Sequence, residues 1–171
     1  TSLKSGGSNI SITKNGEGQV YSTLLINEFH TDRNAPAVNH GLSVKREYVN
    51  EKGEQYTLAV GDTAIVKVTI GGLKANENYG VINDELPSGL IPINQAFKNE
   101  QYGNDPNAYY TSYDVSDREI TENGMVLSLY QIASGERTYT YRARVVNEGT
   151  FIVPPTTASL MYAPEIYGKS D

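Results

Sequence analysis

The strongest constraint on what this chain can fold into is the alternation in Thr63 to Ile70. Ala64, Val66, Val68 and Ile70 point one way, and Thr63, Lys67 and Thr69 point the other, with Ile65 the exception. Period two with one apolar side is the pattern of a strand buried on one face. Tyr139, Tyr141, Ala143 and Val145 alternate in the same way with Thr140, Arg142 and Arg144. The two apolar faces are expected to be buried against each other, with Arg142 and Arg144 sharing the outward side. No long segment shows helical period, and no internal repeat is visible.

The rest of the chain repeats this theme in shorter pieces. Strands are expected over Leu42–Val49, Tyr79–Asp84, Glu119–Ile120 and Met125–Tyr130, separated by turns at Asn50–Gly53, Gly61–Asp62, Gly71–Gly72, Pro87–Gly89 and Glu122–Gly124. That gives about seven strands after Gly41, at the turn spacing of an all-β sandwich. Ahead of them, Asn9–Thr13 and Gln19–Asn27 read as a hairpin around Lys14–Gly18, where Gly16 can take a positive φ. The polar stretch Thr31–Gly41 is the expected boundary. The reading is therefore an immunoglobulin-like antiparallel β-sandwich over residues 41–171, with an N-terminal lead-in and β-hairpin extension over 1–40.

Composition removes several function classes. The net charge of −6 lacks the basic footprint that nucleic-acid binding needs. No run of about 18 apolar residues exists, so no helical membrane span and no membrane contact is expected. With no Cys, the chain can form no disulfide, no thiolate metal site, no Cys nucleophile and no thioester of its own. It opens at Thr1 without a charged or apolar leader, and reads as a fragment of a longer protein.

No catalytic constellation is present. His30 and His40 have only Asp32 and Asp62 near them in sequence, and no Gly-x-Ser-x-Gly elbow exists. Asp105, Asn107, Asp114 and Asp117 offer oxygens to Ca²⁺, but at no calcium-loop spacing, and loops are rich in Asn and Asp for turn reasons. No metal, no cofactor and no enzyme activity are expected. The irregular region Asn94–Asp117 carries Tyr102, Tyr109, Tyr110 and Tyr113 among Asn, Asp and Gly. Such rings either cover a sandwich edge or face a partner. Tyr109, Tyr110 and Tyr113 are candidate interface residues, as are Arg142 and Arg144, which could dock a carboxylate or simply form a solvated face.

The closing stretch is the most distinctive. Thr150–Val153 is β-branched or aromatic and reads as a strand that Pro154 and Pro155 stop. Ala158, Leu160 and Tyr162 then alternate with Ser159, Met161 and Ala163, a second short strand that Pro164 ends. Together with GLSVKREY (41–48), VGDTAIVKVTI (60–70), VINDELPSGLIPIN (81–94), Asp117-Arg118-Glu119, YTYRARVVNEGTFIVPP (139–155) and MYAPEIYGKS (161–170), it resembles the last macroglobulin-like domain of bacterial alpha-2-macroglobulins. The resemblance covers the chain from Gly41 onward, and the closing block is its specific part. Asn9–Phe29 resembles the strands that return from the thioester domain through a CUB-like domain.

The resemblance implies a non-catalytic part of a broad-spectrum protease trap. In that family a protease cuts a bait region, the molecule rearranges, and a Cys-Gln thioester captures the attacker. The last domain packs on the thioester domain and shields it from water. Partners would be the thioester and CUB-like domains of the same parent chain, and target proteases through the full-length protein. The location would be periplasmic or cell-surface, with the parent in some cases a membrane-anchored lipoprotein. By position in the motif, Met161 and Tyr162 are the shielding residues. In an extended segment neighbours point opposite ways, so one of them is expected to anchor in this domain while the other reaches out. The alternative is an Ig-like module of a bacterial surface adhesin, a spacer or ligand binder. A close just after Gly168-Lys169-Ser170, rather than a sorting signal, favours the first reading.

Overall fold

The computed structural model describes residues 11–24, 36–50, 52–54, 57–94 and 114–171. The chain divides between Thr31 and Asp32 into two units. In the first, residues 11–24 contain no strand, so the expected hairpin is not formed there; the rest of it lies outside the described residues. Within Lys14–Gly18 the chain bends at residues 16–18, with Gly16 at φ 106°. Its strand-like alternation is too short and polar to form a ladder without a third strand to pack on.

The second unit is all-β. Ten strands run in order through the described residues: β1 Val38–His40, β2 Ser43–Val49, β3 Thr63–Gly71, β4 Glu77–Glu85, β5 Leu90–Pro92, β6 Val115–Ile120, β7 Gly124–Ile132, β8 Arg137–Val145, β9 Thr157–Leu160 and β10 Tyr167–Lys169. They form a six-stranded sheet, β1-β10-β9-β4-β7-β6, and a four-stranded sheet, β2-β3-β8-β5. Every strand pair is antiparallel. Three strands the sequence pattern did not yield, β1, β5 and β10, are three residues long, too short to show a period. The sandwich begins at Val38, inside the expected boundary stretch Thr31–Gly41 and three residues ahead of the start expected at Gly41, because β1 pairs with β10.

Two expectations are corrected here. The Ala64–Ile70 and Tyr139–Val145 faces are both buried, but β3 and β8 are neighbours in one sheet. Val66 sits beside Tyr141 and Val68 beside Tyr139, so the faces lie side by side rather than across the core. What they pack against comes from the other sheet: Ile82, Met125, Leu127, Leu129, Ile132, Ala158 and Leu160. Burying each of the Ile, Leu and Met side chains among them contributes about 1.5–3 kcal/mol.

Thr150–Val153 is not a strand either. The contact this segment makes is through the ring of Phe151, which covers Gly89 so closely that a Cβ there would lie 2.4 Å from it. Ile152 and Val153 remain exposed.

Candidate functional site

The closing block folds as the hairpin β9–β10, and its two ends do different jobs. At the base, Thr156 and Ser170 exchange hydrogen bonds: Thr156 N donates to Ser170 Oγ at 3.0 Å, and Ser170 N donates to the Thr156 carbonyl at 2.9 Å. Both residues are buried. The Thr156 hydroxyl donates inward to Asp84 Oδ1. Arg46 Nη1 donates to the same oxygen at 2.6 Å, and the Tyr141 hydroxyl donates to Asp84 Oδ2 at 2.6 Å. Arg46 also donates to the carbonyls of Glu85 and Pro154.

This ion pair is buried, with side-chain exposure of 3% for Arg46 and 0% for Asp84. Charge-assisted hydrogen bonds on both carboxylate oxygens offset the desolvation that burial costs. The cluster joins β2 and β8 of one sheet to β4 of the other and to the hairpin base. Burial and the neighbouring carboxylate push the Tyr141 phenol far above its ordinary range. Burial likewise raises Tyr48, to about 12, against the opposing pull of Arg46, whose guanidinium lies 5.5 Å from its ring centre.

The cluster explains the closing motif physically. Gly168 must lack a side chain, since a Cβ would meet the Leu42 carbonyl oxygen at 2.2 Å. Ser170 caps Thr156, and Pro154 offers its carbonyl to Arg46. Asp84 and Arg46 were missed by sequence reasoning, yet a signal existed. Asp84 falls in phase with buried Ile82 on β4, and Arg46 in phase with buried Val44 on β2. Two opposite charges at inward positions call for each other.

At the other end, residues 161–166 connect the strands. Ile166 N donates to the Ala163 carbonyl at 2.9 Å, closing a turn with Pro164 second, where its fixed φ suits. Ala163 and Ile166 pack on the core. Met161 and Tyr162 do not: they are 45% and 82% exposed. The expectation that one of them anchors is therefore corrected. The chain bends at both residues, so strand alternation does not apply, and the anchors are Ala163 and Ile166.

A third residue meets this projecting pair. Tyr79 on β4 accepts a hydrogen bond from Met161 N at 2.7 Å, and its ring meets that of Tyr162 edge-on, centroids 5.5 Å apart at 86°. Tyr79 is also exposed and sits at φ 59°. A left-handed conformation in a bulky residue costs about 1–3 kcal/mol. The next residue, Gly80, leaves room for Ile132, whose Cδ1 would lie 2.3 Å from a Cβ there.

The other candidates stand apart from this site. Arg142 and Arg144 lie partly buried on the outer side of β8, in the four-stranded sheet. Tyr109, Tyr110 and Tyr113 lie outside the described residues, as do Tyr102, Asp105, Asn107, His30 and Asp32. His40 stacks on Tyr167, ring centres 4.7 Å apart, and so ties β1 to β10. Asp62 accepts from Ala59 N, and Asp114 Oδ2 accepts from the Tyr139 hydroxyl at 2.7 Å. Among the described residues, no three His, Cys, Asp or Glu gather where they could hold a metal ion. No helix there is long and apolar enough to cross a membrane.

Comparison with known proteins agrees with the fold. The chain is 25% identical over 181 aligned residues to an alpha-2-macroglobulin homolog from Nostoc, covering 98% of this chain and 9% of that protein. It is 24% identical to an alpha-2-macroglobulin from Rickettsia conorii, covering 93% of this chain and 8% of that one. It thus spans less than a tenth of the length of these relatives.

Among solved structures, native Escherichia coli alpha-2-macroglobulin, from domain MG7 to the C-terminus, superposes with a TM-score of 0.65 at 22% identity, covering 80% of this chain and 23% of that one. Salmonella alpha-2-macroglobulin reacted with methylamine gives 0.63 at 20% identity, covering 80% and 9%. The family model for the bacterial alpha-2-macroglobulin MG10 domain matches residues 41–165, and the chain belongs to that family.

Proposed function

We propose that this chain is a non-catalytic domain of a periplasmic or cell-surface protease trap, in which it packs on the thioester domain of its parent chain and keeps water from it. The observation that carries the reading is the pair Met161 and Tyr162. Both project from a turn whose own apolar residues, Ala163 and Ile166, are packed on the core. A thioester survives only where water and small nucleophiles are excluded. An adaptable thioether and a broad ring with a polar tip are suited to closing such a space. The thioester and CUB-like domains of the parent are the direct partners, and target proteases meet the domain only through the full-length protein.

The test is the rate at which methylamine consumes the thioester of the parent protein. Met161→Ala and Tyr162→Ala should each speed that loss while leaving the melting temperature of this domain nearly unchanged, since neither side chain belongs to the core. An unchanged rate in both variants would sink the shielding role.

A further inference from the structure

We propose that Tyr79 is the positioning residue for the Met161–Tyr162 projection. It sits where one ladder stops and the projection begins. β4 pairs with β9 from Gly80↔Leu160 to Asn83↔Thr157, and Tyr79 is the residue just outside that run. On its other side β4 keeps register with β7, through Asn78↔Gln131 and Gly80↔Leu129. The left-handed conformation is thus confined to one residue of β4, with the register kept on either side of it.

That residue makes one contact to each member of the pair. Its carbonyl takes the Met161 amide, and its ring edge-packs with Tyr162. A position with φ 59° would suit glycine, and a glycine stands next door at Gly80 with no positive φ. The sequence instead places a large ring at the strained position. Strain of this kind persists when the surroundings over-determine it, and it gathers where a side chain must be held for a purpose. Here it fixes both projecting residues to the body as one unit. Holding the pair in its docking conformation beforehand lowers the ordering cost of meeting a partner.

The purpose rests on the shielding reading, but the test does not. It is made on the 171-residue chain alone, so the failure of either leaves the other standing. The chain has two methionines, Met125 and Met161, the first fully buried and the second exposed. Methyl-labelled methionine therefore gives two NMR signals, one a built-in control. Tyr79→Gly keeps the left-handed backbone and removes only the ring. It should move and sharpen the Met161 signal, leave that of Met125 in place, and not lower the melting temperature. Tyr79→Phe keeps the ring and should restore the wild-type Met161 signal. Tyr79→Val disfavours the left-handed backbone, and should raise the hydrogen-exchange rate of the Met161 amide above that of wild type and of Tyr79→Gly. The proposal is overturned if Tyr79→Gly leaves the Met161 signal unchanged, or if both methionine signals move together, which is general loosening of the fold.

Discussion

Replacing Asp84 by Asn changes one atom at the point where both sheets and the closing hairpin meet. The amide keeps an acceptor for Arg46 and Thr156 but presents N–H to the Tyr141 hydroxyl, which must then accept and turn its own proton away from the one acceptor it had there. It also leaves the Arg46 guanidinium, 3% exposed, without its counter-charge. Removing one partner of a buried pair costs about 3–5 kcal/mol. That is a large share of the roughly 5–15 kcal/mol that holds a domain folded. With a urea m-value near 2 kcal/mol/M, the midpoint should fall by roughly 1.5–2.5 M at unchanged m. Glu47→Gln is the control. Its pair with Lys45 spans 3.0 Å but lies at the surface, with Lys45 largely and Glu47 one-third exposed, so its removal should cost no more than about 1 kcal/mol. Combining Asp84→Asn with Arg46→Met removes the orphaned charge as well, so the double variant should lose less than the sum of the two singles. An Asp84→Asn midpoint within about 0.5 M of wild type would show that the cluster is not what joins the sheets.

Three further outcomes are expected. Val66→Asp should abolish cooperative folding, because Val66 is fully buried and the new carboxylate has no partner; a wild-type melting curve would defeat the core assignment. Tyr141→Phe should cost about 1.5–3 kcal/mol, the worth of a hydrogen bond to a charged group, whereas Tyr48→Phe should be neutral or stabilising, because the Tyr48 hydroxyl has no hydrogen-bond partner among the described residues. Equal costs measured in urea would contradict that contrast. Stability should also fall in alkali. The folded state holds the protons of Tyr48, Tyr139 and Tyr141 after the unfolded chain has begun to lose its own near pH 10. The unfolded state then binds fewer protons, so the contribution is intact below about pH 10 and is lost as pH rises through 12 and beyond. A urea midpoint that holds steady from about pH 9 to about pH 11.5 would speak against it.

The long strands were legible because each buries one face. β3 and β8 each show period two over eight of their nine residues, and β7 over most of its length. Which strands share a sheet was not legible, because an inward face looks the same whether its neighbour lies beside it or across the core. The pattern alone therefore reads β3 and β8 as facing each other across the core. The short strands β1, at the sheet edge, and β10, beside it, owe their existence to backbone pairing and to the His40–Tyr167 stack, neither of which leaves a periodic trace. Thr150–Val153 has strand propensity, but its contact with Gly89 is made by a ring rather than a ladder. Asp84 and Arg46 were readable as charges at inward positions, but only once the phase of both strands was fixed. Tyr79 left no signal at all, since nothing in a tyrosine announces a left-handed backbone.

Photocrosslinking decides whether Met161 and Tyr162 meet the thioester domain of the parent chain, as we propose. Tyr162, 82% exposed here, is replaced in the full-length parent by a photoreactive phenylalanine analogue, and the crosslinked peptides are identified by mass spectrometry. A crosslink is expected within the same chain to a peptide of the thioester domain, lost once a protease has triggered the rearrangement. Crosslinks only to other polypeptides, or none in the native protein, would contradict it.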